Sequence, residues 1–294
     1  MELAREHGVS YLYEASVGGG IPIIRPLKQC LAANEITEIC GILNGTTNYI
    51  LTRMIRAGLS FDAALKEAQQ NGYAEADPTA DVEGHDACRK ICILASLAFG
   101  THIYPGQVPT EGIRSVSLAD VAYADSCGRK IKLLGRAIRG ADGRLRAFVA
   151  PHLVSGGDPL SGVEDVFNAI TVRGNAIGDV MFYGRGAGKL PTASAVVADV
   201  MDAARNKDRP KYLDWGPGEE HVPLSPDDVV RQWYVRAEGS AEALRSTLGE
   251  VTVLARAGAP AGEAAVLTRA MTRKELESKL FSIPVHTVFR LLED

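Results

Sequence analysis

Long apolar runs are missing from this 294-residue chain. No stretch reaches the ~18 residues that suggest a membrane span. The start, Met1-Glu2-Leu3-Ala4-Arg5-Glu6-His7, has no signal-peptide hydrophobic core. Basic runs are missing too: 32 Lys and Arg face 36 Asp and Glu, for a formal charge of -4. Nucleic acid is thereby excluded as a partner, because phosphate binding needs a basic face. Cysteine is scarce. Cys30, Cys40, Cys88, Cys92 and Cys127 are odd in number and irregular in spacing, which excludes a disulfide framework and points to reduced thiols in the cytoplasm. Cys88 and Cys92 lie four apart near His85, but no second pair completes a metal tetrahedron, so they read as small apolar helix residues.

What is present suffices for a large core. Hydrophobic residues make up 46% of a chain too long for one typical domain, so the expectation is at least two. Residues 1–9 read as a helix end, 9–13 as a strand, and Glu14 to Pro22 as a break rich in glycine. A helix is expected from Pro26 to Asn34 and a strand from Ile36 to Leu43. Another helix runs from Thr46, with Ile50, Leu51, Met54 and Ile55 on one stripe and Gly58 as its stop. Ser60 caps the next, which ends at Gly72. A polar loop then leads to a single long helix over 81–99. Residues 111–182 read as strand-rich, with strands at 130–139, 145–154, 166–173 and 178–183 and Asp142-Gly143 as a hairpin turn. Pro191 opens a helix. The Pro- and Gly-rich stretch 207–228 reads as a linker, and 229–294 has the order βαββαβ of a ferredoxin-like module.

The chemistry concentrates between Gly72 and Lys90, where Glu75, Asp77, Asp81, Glu83 and Asp86 place five carboxylates within twelve residues. Asp86 and Lys90 are four apart and share a helix face; Asp81 sits near a helix N-terminus, where negative charge is favoured. Such a cluster suits an ammonium group held by carboxylates with an amine poised at a hydroxyl or carbonyl. Ordinary i,i+4 pairing on an exposed helix is the competing reading. Gly184-Arg185-Gly186-Ala187-Gly188 invites a phosphate loop, but Leu190 stands where a P-loop needs Ser or Thr, and the dinucleotide glycine spacing is absent.

The pattern Gly72-x-x-Glu75-x-Asp77-Pro78-x-x-Asp81-x-x-Gly84-x-Asp86-x-x-x-Lys90 resembles the signature of homoserine dehydrogenases. The resemblance extends, in the family's order, to Glu14-Ala15-Ser16-Val17-Gly18-Gly19-Gly20-Ile21-Pro22, to Gly41 through Leu51, and to Gly184-x-Gly186-Ala187-Gly188-x-x-Pro191-Thr192-Ala193. It implies reversible oxidation of L-homoserine to L-aspartate 4-semialdehyde with NAD or NADP, in threonine, methionine and isoleucine biosynthesis. It further implies that Glu75 binds the substrate ammonium, that Asp81 and Asp86 complete the pocket, and that Lys90 touches the reacting oxygen as catalytic proton donor. Gly72, Gly186 and Gly188 would border the cofactor. Glu14, Val17, Gly19 and Ile21 would hold a monovalent cation, Na+ or K+, through one carboxylate and three carbonyls.

The family begins with a Gly-rich βαβ unit about a hundred residues before the Glu14 block, and carries an Ala-Asn-Lys segment that this chain lacks. The expected fold is therefore α/β (α+β). Residues 1–25 would be the end of a truncated Rossmann-type domain, 26–190 a mixed-sheet catalytic and dimerisation domain, 191–206 a returning helix, 207–228 the linker, and 229–294 an ACT-like module. That module lacks the Asp-x-Pro-Gly turn at Ala237-Glu238-Gly239-Ser240, which leaves threonine sensing and plain packing as alternatives. A homodimer through 111–182, or a higher homo-oligomer, is expected, since that sheet has alternating apolar faces and the sequence offers no second helical layer to cover both. The competing functions are an inactive fragment of the enzyme and an amino-acid-binding regulatory protein.

Overall fold

The computed structural model describes residues 1–220 and 222–292. Helix α1 (Glu2–Glu6) opens the chain. The strand expected at 9–13 does not form: Tyr11 makes a single bridge to Tyr212, and a 3-10 turn follows at Glu14–Ser16. Next come α2 (Ile24–Gln29) and β1 (Ile36–Ile42). Asn44 caps α3 (Gly45–Ala57) by accepting the Thr47 amide at 2.9 Å, and Gly58 ends it at φ 64°. Ser60 caps α4 (Phe61–Gln70).

The single helix expected over 81–99 is instead two, α5 (Thr79–Val82) and α6 (His85–Phe99). The break is Gly84, at φ 81°, where a Cβ would press to 3.0 Å on the Thr110 methyl. The strand-rich stretch also contains an unexpected helix, α7 (Leu118–Ser126), started by a reciprocal capping box between Ser117 and Asp120. Strands β2 (Arg129–Arg139) and β3 (Leu145–Ser155) form the hairpin expected at Asp142-Gly143. Strands β4 (Phe167–Gly174) and β5 (Gly178–Arg185) lead into α8 (Lys189–Arg205). The remainder is β6 (Trp233–Glu238), α9 (Ala241–Leu248), β7 (Val251–Leu254), β8 (Glu263–Thr268), α10 (Arg273–Leu280) and β9 (Val285–Leu291).

All nine strands join one mixed sheet in the order β5-β4-β1-β2-β3-β9-β6-β8-β7. Side chains alternate across a strand, so β2 sends Ile131, Leu133 and Ala137 to one face and Lys132, Leu134 and Arg136 to the other. Helices α3, α6 and α7 cover the first face and build the main core there, around Ile91, Leu94 and Ile131. On the second face a smaller cluster forms around Cys40, Ile42, Leu134, Leu160 and Leu292. Within the C-terminal part the order β9-β6-β8-β7 is antiparallel throughout, and α9 and α10 cover the face bearing Trp233, Val235 and Ala237.

The opposite face of these strands meets α7. Asp120, fully buried, accepts from Tyr234 Oη at 2.9 Å and from Arg236 Nε at 2.8 Å, and Arg236 also pairs with Glu263 at 3.0 Å. The Pro- and Gly-rich stretch expected as a linker is tied along the body. Trp215 Nε1 donates to His102 Nδ1 at 2.7 Å, Gln107 Nε2 donates to the carbonyls of Glu219 and Glu220, and Leu224 bridges to Arg146.

Candidate functional site

The loop after α4, α5 and the first turns of α6 converge on one cleft of about 350 Å³. Gly72, Tyr73, Glu75, Asp77, Asp81, Asp86 and Arg89 line it. Asn44 organises its floor. The Asn44 side-chain amide donates to Asp81 Oδ1 at 2.7 Å and to Asp86 Oδ2 at 2.9 Å, while its oxygen caps α3. One residue thus fixes two carboxylates and a helix start together. Lys90 Nζ donates to Asp86 Oδ2 at 2.7 Å and to the Leu43 carbonyl at 3.0 Å. An ammonium has three donors, so one hydrogen of Lys90 remains. Asp81 Oδ2 and Asp86 Oδ1 accept nothing from the described residues and remain available to a ligand.

Glu75 lies in the same cleft, exposed, with its loop held by Gln69 Nε2 on the Glu75 carbonyl at 3.0 Å. Thr46 Oγ1 donates to the Tyr73 carbonyl at 2.6 Å, and the rings of Tyr49 and Tyr73 meet edge to face at 4.9 Å. The loop is therefore pinned to α3. The structure brings Glu75, Asp81 and Asp86 to one cavity; Lys90 is not among its lining residues and is linked to it through Asp86. Asn44 lies within the Gly41–Leu51 block, and sequence reasoning alone does not mark it as a site residue. Its signal was the Asn44-Gly45-Thr46-Thr47 helix start, and its second job depends on residues 37 and 42 positions away.

The glycine-rich turn and loop lie together elsewhere. Gly20 donates to the Arg185 carbonyl at 3.1 Å, and a Cβ on Gly19 would overlap the Gly186 carbonyl. Gly186 in turn sits flat on the Asn168 side chain, whose amide nitrogen and oxygen are both buried without a partner. Gly188, at φ 123°, precedes the first residue of α8, and Gly72, at φ 73°, has open space where a Cβ would be.

At the expected cation cage the Glu14 carboxylate is engaged by protein donors. Glu14 Oε1 accepts the amides of Ile23 and Ile24, each at 2.7 Å, and Oε2 accepts the Arg25 amide at 2.9 Å and Arg25 Nε at 3.2 Å. Four donors fill the carboxylate, which serves as the cap of α2. Asp199 adds to the network, accepting the Glu14 amide at 2.8 Å and pairing with Arg25 at 3.3 Å; burial raises its carboxyl above the usual range.

Three further groups carry shifted acidities. Lys132 is fully buried, bonded to Asn48 Oδ1 at 3.1 Å and to the Val163 carbonyl, and desolvation lowers its amine to about 8. Cys88 and Cys92 are buried neighbours on α6; the interaction between the two thiols lowers Cys88 below the usual thiol range and, with burial, raises Cys92 above it. Among the described residues, no group of His, Cys, Asp or Glu is placed to hold a metal ion, and no helix is long and apolar enough to cross a membrane.

A family profile described as homoserine dehydrogenase matches residues 22–201. A homoserine dehydrogenase of Synechocystis sp. is 57% identical over 245 residues, covering 80% of this chain and 57% of that protein. The crystal structure of a homoserine dehydrogenase from Thiobacillus denitrificans superposes with a TM-score of 0.88 at 33% identity, over 99% of this chain and 72% of that one. A hyperthermophilic archaeal homoserine dehydrogenase mutant, solved in complex with NADPH, gives a TM-score of 0.58 at 32% identity over 70% of this chain and 59% of that one. The chain spans little more than half the length of the curated relatives it matches. With the acidic cleft, the match across most of the central sheet and the agreement in fold, the chain belongs to the homoserine dehydrogenase family.

Proposed function

We propose that this chain supplies the substrate cleft of an enzyme that interconverts L-homoserine and L-aspartate 4-semialdehyde with NAD or NADP. The observation that carries the reading is the Asn44-bridged pair Asp81 and Asp86, both lining a cleft that also contains Glu75, with Lys90 bonded to Asp86 from behind. The free oxygens of Asp81 and Asp86 and the Glu75 carboxylate receive the substrate ammonium. The third hydrogen of Lys90 bonds the reacting oxygen. In the reducing direction Lys90 gives that oxygen a proton; in the oxidising direction it takes the proton back, while Asp86 holds the amine in place.

The residues present fit one end of a dinucleotide. Asn168 presents a partnerless donor and acceptor against Gly186, and Gly72 is open on its Cβ side, so Gly72, Gly186 and Gly188 would border the nicotinamide. Among the described residues there is no parallel βαβ unit with a Gly-rich turn to grip a pyrophosphate; the Gly-rich turn between β5 and α8 follows an antiparallel strand. The cofactor's contribution is to accept the hydride from the hydroxyl-bearing carbon.

The C-terminal strand order fits a ferredoxin-like, ACT-like module. Its sheet face is closed by the Asp120–Arg236–Glu263 network, which favours packing over threonine sensing as its role. A homodimer is proposed on the second face of the sheet. A groove of about 290 Å³ there is lined by Cys40, Thr171, Arg173 and Met181, and Tyr183 is exposed on the outermost strand. The cytoplasm, where the five free thiols stay reduced, is the proposed compartment.

The test is to fuse the chain behind the nucleotide-binding segment of a relative and follow reduced nicotinamide by absorbance with L-homoserine. The fusion should turn over, the chain alone should show little or no turnover, and Lys90→Ala in the fusion should abolish it. A fusion inactive on homoserine, or full activity after Lys90→Ala, overturns the reading.

A further inference from the structure

Homoserine carries a carboxylate beside its ammonium, and the carboxylates of Glu75, Asp77, Asp81 and Asp86 repel it. A cleft built only of acids would bind a simple amine better than an amino acid. Lys90 does not solve this, because two of its three hydrogens are committed to Asp86 and Leu43 and the third is needed at the reacting oxygen. The cation left among the residues lining the cleft is Arg89. It stands on α6 three residues after Asp86, so both side chains leave the same side of the helix. Arg89 is exposed and makes no hydrogen bond or ion pair with any described residue, although four acidic side chains share its cleft. Elsewhere in the molecule, guanidinium groups near carboxylates pair with them, as Arg136 does with Glu38 and Arg236 with Asp120.

We infer that Arg89 receives the α-carboxylate of the substrate through its guanidinium fork, and so makes the cleft select α-amino acids over amines that lack the carboxylate. The inference rests on the homoserine reading given above. The ammonium and carboxylate of an α-amino acid sit on the same carbon, so their receptors must border one cavity. Glu75, Asp81 and Arg89 do. A guanidinium matches a carboxylate with two parallel N–H bonds, which a point-charge ammonium does not. Because the acids hold the ammonium whether or not a carboxylate accompanies it, the contribution of Arg89 is discrimination between the two ligands.

Titration calorimetry on the 294-residue chain tests this with L-homoserine and with 3-aminopropan-1-ol, which keeps the ammonium and the hydroxyl but has no carboxylate. Arg89→Gln should weaken homoserine about 10- to 100-fold, the range for a charged hydrogen bond, and leave 3-aminopropan-1-ol unchanged. Arg89→Lys should fall between wild type and Arg89→Gln for homoserine. The side chain is exposed and unbonded, so thermal melting of both variants should match the wild type. Undiminished homoserine binding by Arg89→Gln, or equal loss of both ligands, overturns the role of Arg89 and leaves the homoserine reading standing. A wild-type chain that does not bind homoserine overturns both.

Discussion

Replacing Glu14 by Gln separates a helix cap from a cation ligand. In the native chain both carboxylate oxygens are filled: Oε1 by the amides of Ile23 and Ile24, Oε2 by the amide and side chain of Arg25. Glutamine is nearly the same shape, but one of its two ends is an NH2 group. Whichever way the amide turns, that end faces two N–H donors and leaves both without an acceptor. Glu14 is only 2% exposed, so water cannot replace the lost partner. Each buried donor left unmade costs about 1–3 kcal/mol. Two of them, with the weakened Arg25 pair, place the loss near 4 kcal/mol, or roughly 10 °C in Tm for a chain of this size. The assay is thermal unfolding of wild type and Glu14→Gln in NaCl, KCl and choline chloride at equal ionic strength. The cap predicts the same gap in all three salts. If wild type falls to the level of the variant in choline, and the gap opens only with Na+ or K+, the carboxylate is a cation ligand and the capping argument is wrong.

Lys132 gives a pH signature. Its amine is lowered from 10.5 to about 8 in the fold, chiefly by burial. Below pH 8 both folded and unfolded chains hold the proton and the desolvation penalty is constant. Between pH 8 and 10.5 the unfolded chain binds more protons, so stability rises with pH. At about 1.4 kcal/mol per pH unit, wild type should gain roughly 3 kcal/mol over that window relative to Lys132→Met. Urea unfolding at successive pH values reads the difference, and parallel curves for the two proteins would refute it. Asn44→Ala removes the cap of α3, costing about 1 kcal/mol, and the donor shared by Asp81 and Asp86. Homoserine affinity should fall at least about tenfold, and calorimetry showing unchanged affinity would count against the organising role of Asn44.

The parts legible in the sequence were those fixed by near neighbours. The cap at Ser60, the stop at Gly58 and the turn at Asp142-Gly143 each depend on a few adjacent residues, and all form. The Asp86–Lys90 pair was readable for the same reason, since a helix brings positions four apart together. The break at Gly84 was not, because it depends on Thr110 and on the backbone of Gly112 lying against Val82 and Glu83. Helix α7 was passed over although Ser117 and Asp120 spell a capping box; its strand-rich surroundings outweighed the local signal. Val9 to Tyr13 alternates like a strand but finds only one bridging partner, at Tyr212. The occupation of Glu14 by α2 lay beyond sequence reasoning, since the chain must fold back nine to eleven residues to fill it.

The parallel pairing of β9 with β3 is brief, through His152 with Arg290 and Leu153 with Leu291, extended by the Leu292 amide on the Leu153 carbonyl. Short as it is, it means that the last strand of the chain occupies the side of β3 that would otherwise offer its open N–H and C=O groups to solvent. A chain cut before residue 229 would still contain the acidic cleft and would keep the bonds of Pro109, Glu111 and Leu224 to β3, so the edge it opens is the short stretch at His152 and Leu153. Shortened forms of this protein should be judged first by whether they stay dispersed.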